Sequence, residues 1–196
     1  MSKAPLNVLA VVGSLNAKSV TRTVVVHLAE QFRREGCAVE LVDFLEAPLP
    51  LFNPDTSRHG AEFPGLKAQV DKADVLLLGT PDYHGSISST MKNFLDHFWH
   101  EFAGKLFASV VASHEKGLTV ADQLRTVARQ CYAWTLPYAV AFVEDEDVRD
   151  GQVVSEPLRR RLEMLVRDVR VYGALLATQR KADLAGTEPG FLAKLR

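Results

Sequence analysis

Short apolar runs alternate with amphipathic segments along the whole chain. The apolar runs predict strands at 7–14, 37–44, 73–80, 105–113 and 137–145. The amphipathic segments have helical spacing and fall at 19–36, about 64–73, about 86–102, 119–133 and 156–180. Such strict alternation is typical of a parallel sheet that is covered by helices on both faces.

The order of the strands follows from how parallel strands are connected. Right-handed crossovers leave few arrangements, and five strands favour the order 2-1-3-4-5. The sequence therefore predicts the α/β class, a flavodoxin-like doubly wound sandwich with a five-stranded parallel sheet. Residues 1–196 are expected to form a single domain with a core at about 6–180. The tail at 181–196 is expected to be mobile or to pack on a partner.

Composition and charge narrow the classes of function. The chain has 196 residues, of which 47% are hydrophobic and 24% charged, as in ordinary globular proteins. Its net charge of −1 gives no overall field that would attract nucleic acid or a membrane surface. It also argues against a small electron carrier that steers towards partners by strong acidity. The absence of CxxC around Cys37 and Cys131 argues against a metal site.

The location follows from the apolar runs and from the first residues. The apolar runs are far too short to span a bilayer. The segment MSKAPLN at 1–7 has no apolar signal core. A cytoplasmic location is therefore expected.

Three polar loops are expected to meet beyond the sheet. In such folds a ligand lies outside the carboxyl ends of the strands, near the switch point between strands one and three. The loops that reach this place are GSLNAKSVT (13–21), PDYHGS (81–86) and SHEKG (113–117). They form the candidate site.

The first loop carries side chains that suit a phosphate. The candidate ligands are Ser14, Asn16, Ser19 and Thr21, and Ser19 is also a plausible helix N-cap. Free N–H groups at a helix start attract a phosphate. Neither GxxxxGK[ST] nor GxGxxG is present, so one phosphomonoester is expected instead of a pyrophosphate or triphosphate. The alternative is a hydroxyl-rich cap without a ligand.

The second loop suits a planar ring. Its candidate residues are Pro81, Asp82, Tyr83, His84, Gly85 and Ser86. Tyr83 offers a flat partner, the backbone of 84–86 offers donors, and Gly85 permits an unusual φ or a close approach. A simple tight turn is the alternative. A phosphate at one end and a planar ring with polar edges at the other describe flavin mononucleotide, FMN.

Two motifs resemble those of the NADPH-dependent FMN reductase family. PDYHGSISSTMKNFLDH resembles its segment P-x-Y-x-G-S-x-x-x-x-x-K-N-x-x-D, with matches at Pro81, Tyr83, Gly85, Ser86, Lys92, Asn93 and Asp96. GSLNAKSVTR is similar to its phosphate loop G-S-x-R-x-x-S-x-N, with matches at Gly13, Ser14 and Ser19. The likeness covers about 6–180. It implies a flavodoxin-like fold, bound FMN, NADPH or NADH as reductant, and homodimers or homotetramers packed through helices near the flavin.

The chain departs from this family pattern in the first loop (13–21) and in the third loop (113–117). Asn16 stands where the family usually has arginine, so a charge-assisted phosphate contact is missing, and Thr21 replaces the usual asparagine. SHEKG replaces a glycine-rich loop along the ring edge, which makes Ser113, His114, Glu115, Lys116 and Gly117 candidate contacts. Lys116 is a candidate for stabilising negative charge at the reduced flavin N1, and a surface lysine is the alternative. Weaker binding would suit a flavin that leaves after reduction.

Other patterns favour structural roles. His97 and His100 lie at helical spacing without HExxH, which favours positions on a helix surface or at a dimer interface over a metal site. Phe94, Phe98, Trp99 and Phe102 form an aromatic stripe that belongs to the core or to a subunit interface. The width of this stripe predicts a homo-oligomer.

These observations predict an NAD(P)H-dependent FMN oxidoreductase. Nicotinamide would pass a hydride to the flavin without a side-chain acid or base, so neither a catalytic residue nor a metal is predicted. The electrons would then go to a quinone, an azo dye or a metal oxyanion, or as reduced flavin to a monooxygenase. One alternative is a non-enzymatic electron carrier like a flavodoxin, and another is a scaffold of the same fold without flavin.

Overall fold

A computed structural model of the chain describes residues 4–195. Residues 1–3 and 196 lie outside the described residues, although they belong to the predicted domain, to the segment MSKAPLN and to the tail. The strands are β1 (Asn7–Val12), β2 (Ala38–Asp43), β3 (Val75–Tyr83), β4 (Ser86–Ile87), β5 (Leu106–Ala112), β6 (Trp134–Thr135), β7 (Val140–Phe142), β8 (Val148–Arg149) and β9 (Gln152–Val153). The helices are α1 (Val20–Arg34), α2 (Phe63–Lys72), α3 (Ser89–Asp96), α4 (Leu118–Gln130) and α5 (Glu156–Ala185). Short 3-10 turns lie at Ser57–His59, His100–Phe102 and Ala193–Leu195.

The main sheet confirms the predicted fold class and strand order. Its strands run in the order β2-β1-β3-β5-β6, all parallel, and β7 also pairs with β5. The predicted fifth strand therefore exists as two short pieces, β6 and β7. Pro137 lies between them and has no N–H for a sheet hydrogen bond, which accounts for the interruption. The short strand β4 and the separate β8–β9 hairpin were not predicted.

Helices cover both faces of the sheet. Side chains from α1 and α5 form one buried cluster with the sheet, and side chains from α2, α3 and α4 form another on the opposite face. Residues 8–12 and 75–78 are at most 2% exposed, which is why these strands are apolar at every position instead of alternating. Within residues 4–195, no helix has both the length and the apolar character needed to cross a bilayer.

Two glycines let helices approach the ends of β1 and β3 closely. The Gly13 N–H donates to the Gly79 carbonyl at 2.7 Å. A Cβ on Gly79 would lie 2.2 Å from Cγ2 of Val25 on α1, and one on Gly13 would lie 2.9 Å from the Met91 side chain on α3. Both α1 and α3 therefore pack against bare backbone at this point.

The predicted helix at 86–102 is too long at both ends. Ser86 belongs to a hairpin with β3, and the helix begins only after Ser88, whose hydroxyl accepts from the Met91 N–H at 3.0 Å. At the other end, α3 stops at Asp96 and a 3-10 turn follows at His100–Phe102. A side-chain N-cap of this kind fixes a helix start more strongly than helix propensity does.

The aromatic stripe lies inside the subunit, so the expectation that its width marks a subunit interface is wrong. Phe94, Phe98 and Phe102 are each at most 3% exposed. Their ring centroids lie 5.5–6.0 Å apart in the cluster beneath α2 and α3. Only Trp99 of the four is half exposed.

His97 and the tail also differ from expectation. His97 is 3% exposed, and its Nδ1 lies 2.8 Å from the Asn93 carbonyl, so it is a core residue and not a surface one. The predicted tail continues α5 as far as Ala185. Beyond that, Leu192 is 2% exposed and the Phe191 ring stacks on Tyr132, so this part of the tail packs on its own chain.

A buried lysine donates hydrogen bonds to backbone carbonyls at the end of α2. This residue, Lys105, directly precedes β5 and is 1% exposed. Its Nζ donates to the carbonyls of Val70, Asp71 and Ala73 at 2.5–2.8 Å. Burial lowers the pKa of the Lys105 ammonium from 10.5 to about 8. The side chain thus satisfies carbonyls that the helix leaves without partners.

We expect Lys105→Met to lower the free energy of unfolding by about 2–3 kcal/mol, because it leaves buried carbonyls unpaired. Urea unfolding followed by far-UV circular dichroism measures this loss. Lys72→Met is the control, since Lys72 is exposed and pairs only with Glu40, at 2.6 Å. Equal effects of the two substitutions would contradict the role given to Lys105.

Candidate cofactor site

A cleft of about 160 Å³ opens beyond the carboxyl ends of β1, β3 and β5. Its walls come from all three of the predicted loops and from the residues after β7. The lining residues are Ser14, Asn16, Lys18, Ser19, Val20, Thr21, Pro81, Asp82, Tyr83, Ala112, Ser113, His114 and Glu144.

The first loop is held in shape by its own side chains. Ser19 Oγ accepts from the Arg22 N–H at 3.2 Å and so caps α1. Ser14 Oγ accepts from the Asn16 N–H at 3.3 Å, and Asn16 Oδ1 accepts from the Lys18 N–H at 2.9 Å. The N–H groups of the first helical residues, Val20 and Thr21, have no acceptor within the helix. They are available to a ligand in the cleft.

The second loop is a two-residue hairpin turn. Tyr83 and Ser86 pair across it, and both His84 (φ 58°) and Gly85 (φ 74°) have positive φ, as a type I′ turn requires. A Cβ on Gly85 would meet only Thr119 Oγ1, at 3.5 Å. Backbone conformation, not lack of space, is therefore what favours glycine there. The Tyr83 ring is 53% exposed at the cleft.

Asp82 joins the second loop to the third. Its Oδ1 accepts from the Gly85 N–H at 2.8 Å, and its Oδ2 accepts from the Ser113 hydroxyl at the same distance. Ser113 Oγ also accepts from the Glu115 N–H at 3.2 Å. One carboxylate thus fixes two walls of the cleft relative to each other.

Gln123, in the middle of α4, holds the hairpin from the other side. Its Oε1 accepts from the Ser86 hydroxyl at 3.0 Å and from the Ile87 N–H at 3.1 Å. Its Nε2 donates to the Gly85 carbonyl at 3.2 Å. The sequence analysis did not identify Gln123, because a glutamine within a helix carries no local signal of a contact so far along the chain.

The predicted site residues divide into two groups. Those that line the cleft are Ser14, Asn16, Ser19, Thr21, Pro81, Asp82, Tyr83, Ser113 and His114. The others lie on the same loops but not on the cleft wall, and they are His84, Gly85, Ser86, Glu115, Lys116 and Gly117. Glu115 and Lys116 are exposed, whereas Gly117 is buried as the N-cap of α4 with φ 61°. The residues that line the cleft without having been predicted are Lys18, Val20, Ala112 and Glu144.

The donor set of the cleft suits FMN. The hydroxyls of Ser14, Ser19 and Thr21 and the free N–H groups of the first turn of α1 are the groups that bind a phosphomonoester. At the other end the exposed Tyr83 ring and the backbone of the rigid hairpin suit a planar ring with polar edges. The distribution of polar and aromatic groups therefore matches the two ends of this cofactor.

The chain is similar to known FMN-dependent reductases in sequence and to flavodoxin-like proteins in structure. An FMN-dependent NADPH-azoreductase of Staphylococcus aureus is 28% identical over 152 residues, which cover 71% of this chain and 80% of the relative. The apo form of the NADH:FMN oxidoreductase EMOB is similar in structure, with a TM-score of 0.71 and 18% identity over 85% of this chain and 89% of that one. The NAD(P)H:(acceptor) oxidoreductase FerB from Paracoccus denitrificans has a TM-score of 0.67 and 21% identity over 86% of this chain and 97% of its own. A flavodoxin from the domain Archaea has a TM-score of 0.62 and 10% identity over 86% and 99%.

The solved structures establish the flavodoxin-like fold. The family follows from a sequence model, that of NADPH-dependent FMN reductase, which matches residues 6–147. This match includes the first, second and third loops of the cleft. The chain therefore belongs to the NADPH-dependent FMN reductase family and is an NAD(P)H oxidoreductase that uses FMN.

Proposed function

We propose that the chain binds FMN in the cleft, reduces it with a nicotinamide nucleotide and delivers the electrons to a small-molecule acceptor. The acceptor is a quinone, an azo compound or a metal oxyanion, or reduced flavin passes to a flavin-dependent monooxygenase. The observation that carries the proposal is the meeting of a phosphate-type loop and a ring-type hairpin at one switch point. The azo acceptor is supported by the Staphylococcus aureus relative, an azoreductase.

The chain's own residues bind and orient in this scheme. Ser14, Ser19 and Thr21, with the start of α1, hold the phosphate and so set the depth of the cofactor. Asp82 and Gln123 keep the hairpin rigid, so that Tyr83 and the backbone of 84–86 define the position of the ring. FMN held by these residues would supply the redox chemistry, which is the acceptance of a hydride from nicotinamide. That step requires no acid or base from the protein, and we assign no catalytic residue.

A second candidate function is that of a non-enzymatic electron carrier. The resemblance in fold to flavodoxins favours it. The net charge of −1 does not, because it gives no long-range attraction to a protein partner. An assay of steady-state NADPH oxidation separates the two, since a carrier would not oxidise NADPH unaided.

The cellular location and the partners of the proposed enzyme are inferred from the same observations. The described thiols, Cys37 and Cys131, are both free, which suits the reducing conditions of the cytoplasm. We propose that the chain acts there as one flavin-binding domain, on small molecules, without a nucleic-acid or membrane partner.

We propose a homodimer or homotetramer, on grounds other than the aromatic stripe. Leu15, Leu45 and Leu51 are 55%, 36% and 84% exposed and lie around an apolar groove of about 350 Å³. Leu15 belongs to the first loop, between Ser14 and Asn16 of the cleft wall, so the groove lies next to the cofactor site. A second copy of the chain would cover these side chains.

Light scattering should give a mass of at least twice 21.7 kDa at micromolar concentration. Leu51→Asp should shift the protein towards monomer, because a charge in the groove would have to be buried. The control is Leu175→Asp, at a leucine that is 62% exposed on α5 and outside the groove. A wild-type protein that is only monomeric would refute this assembly.

Substitution of Gly85 tests whether the hairpin positions the flavin ring. We expect Gly85→Val to weaken FMN binding about tenfold, because a β-branched residue at φ 74° costs roughly 1–2 kcal/mol. Gly85→Asn is the matched control, since asparagine tolerates a positive φ. Flavin fluorescence titration measures both variants. Normal FMN affinity in a correctly folded Val variant would show that the hairpin does not position the ring.

The reaction should follow ping-pong kinetics. The described residues offer one cofactor cleft, and the sequence contains no GxGxxG loop for a separate dinucleotide site. Nicotinamide and acceptor would then use the same ring face in turn. NADPH varied at several fixed quinone or azo-dye concentrations, with flavin saturating, should give parallel double-reciprocal lines. Intersecting lines would mean that both substrates bind together, and the one-site scheme would be abandoned.

A further inference from the structure

The first loop has no positive charge at position 16, where the family usually has arginine. Asn16 stands there, and its Oδ1 accepts from the Lys18 N–H at 2.9 Å. Its own N–H donates to Ser14 Oγ at 3.3 Å. The Asn16 amide therefore folds back on the loop, where it supports the turn and carries no charge.

The guanidinium of Arg22, in the first turn of α1, is already paired with a carboxylate. Arg22 donates through Nε and Nη2 to both oxygens of Asp43, at 2.5 and 2.9 Å. The hydrogen bond to Asp43 raises the pKa of Arg22 above its usual value. Withdrawing Arg22 to bind a ligand would leave the Asp43 carboxylate, whose side chain is 10% exposed, without this ion pair.

Lys18 is the positively charged residue that lines the cleft. It is exposed at the mouth of the cleft, and no residue from 4 to 195 forms an ion pair with its ammonium. No other lysine or arginine lines the cleft in that part of the chain. The carboxylates on the wall are Asp82 and Glu144, so without Lys18 the acidic residues of the lining would have no lysine or arginine beside them on the described wall.

The Thr21 hydroxyl independently indicates that the same end of the cleft takes a ligand. Thr21 is 1% exposed and lines the cleft. Its methyl carbon lies 3.2 Å from the position of a Cβ added to Gly79. No group in residues 4–195 hydrogen-bonds to the Thr21 hydroxyl, and no fully buried polar side-chain atom of these residues lacks a partner, so this oxygen is accessible from the cleft. A ligand oxygen in the cleft can accept its hydrogen bond.

We propose that Lys18 supplies the positive charge that holds the phosphate of FMN, and that it thereby makes the site select FMN over riboflavin. The inference rests on the proposed function, in which FMN occupies this cleft. Thr21 and the first N–H groups of α1 contribute neutral hydrogen bonds, and Lys18 adds the charge. Because Lys18 is exposed, its contribution to FMN binding should fall as ionic strength rises.

The test compares two flavins that differ only in the phosphate. Fluorescence titration of Lys18→Gln should show FMN binding weakened about tenfold, the scale of one charge-assisted hydrogen bond. Riboflavin binding should stay within about twofold, since the substitution leaves the ring-binding hairpin untouched. Lys18→Arg should retain the preference for FMN. Lys72→Gln removes the same charge at an exposed site outside the cleft and should change neither affinity.

Three results would overturn the assignment. One is an unchanged FMN affinity in Lys18→Gln, and another is an equal loss of both flavins, which would mean a general effect on the loop. The third is a wild-type protein that binds the two flavins equally well. A wild-type protein that binds neither flavin would instead overturn the proposed function itself, and the role of Lys18 with it.

Discussion

The close approach of two backbone segments at Gly13 and Gly79 determines where the rest of the cleft lies. The two residues are hydrogen-bonded at 2.7 Å, and α1 and α3 pack directly on them. Ser88 Oγ donates to the Gly13 carbonyl at 2.5 Å while it caps α3, so the same point fixes the start of that helix. Any side chain at either glycine would move a helix, and the first loop would move with it.

One end of the cleft is held rigidly, and the other end carries a flexible side chain. Asp82 and Gln123 tie the hairpin to two neighbouring elements, so the ring end has little freedom. At the end that we propose for the phosphate, the neutral donors are equally fixed, but among residues 4–195 the wall has a single lysine or arginine, the exposed Lys18. Lysine loses more conformational entropy than a buried arginine fork when it engages a phosphate. This division suits a cofactor whose ring must be aligned closely and whose residence need not be long.

The structural features that were predicted correctly from the sequence are those that short-range patterns encode. Apolar strands that are buried on both faces read directly as a parallel sheet, and their order followed from general rules of connection. The first and second loops were located because strand ends and glycines are local signals. Gln123 was missed because its contact with Ser86 joins segments far apart in the chain. The stripe at Phe94, Phe98 and Phe102 was misjudged because helical spacing shows that a face is apolar, but not which neighbour covers it.

The type I′ turn at His84 and Gly85 has a consequence for chemical ageing. Asn-Gly is the pair that such turns commonly carry. In that pair the glycine nitrogen attacks the carbonyl carbon of the asparagine side-chain amide and expels ammonia. Water then opens the cyclic imide mainly to isoaspartate. An extra carbon then enters the backbone. Imidazole carries no acyl group and cannot close such a ring. The His-Gly turn beside Tyr83 therefore keeps its length during prolonged storage, where an Asn-Gly turn would slowly be remodelled.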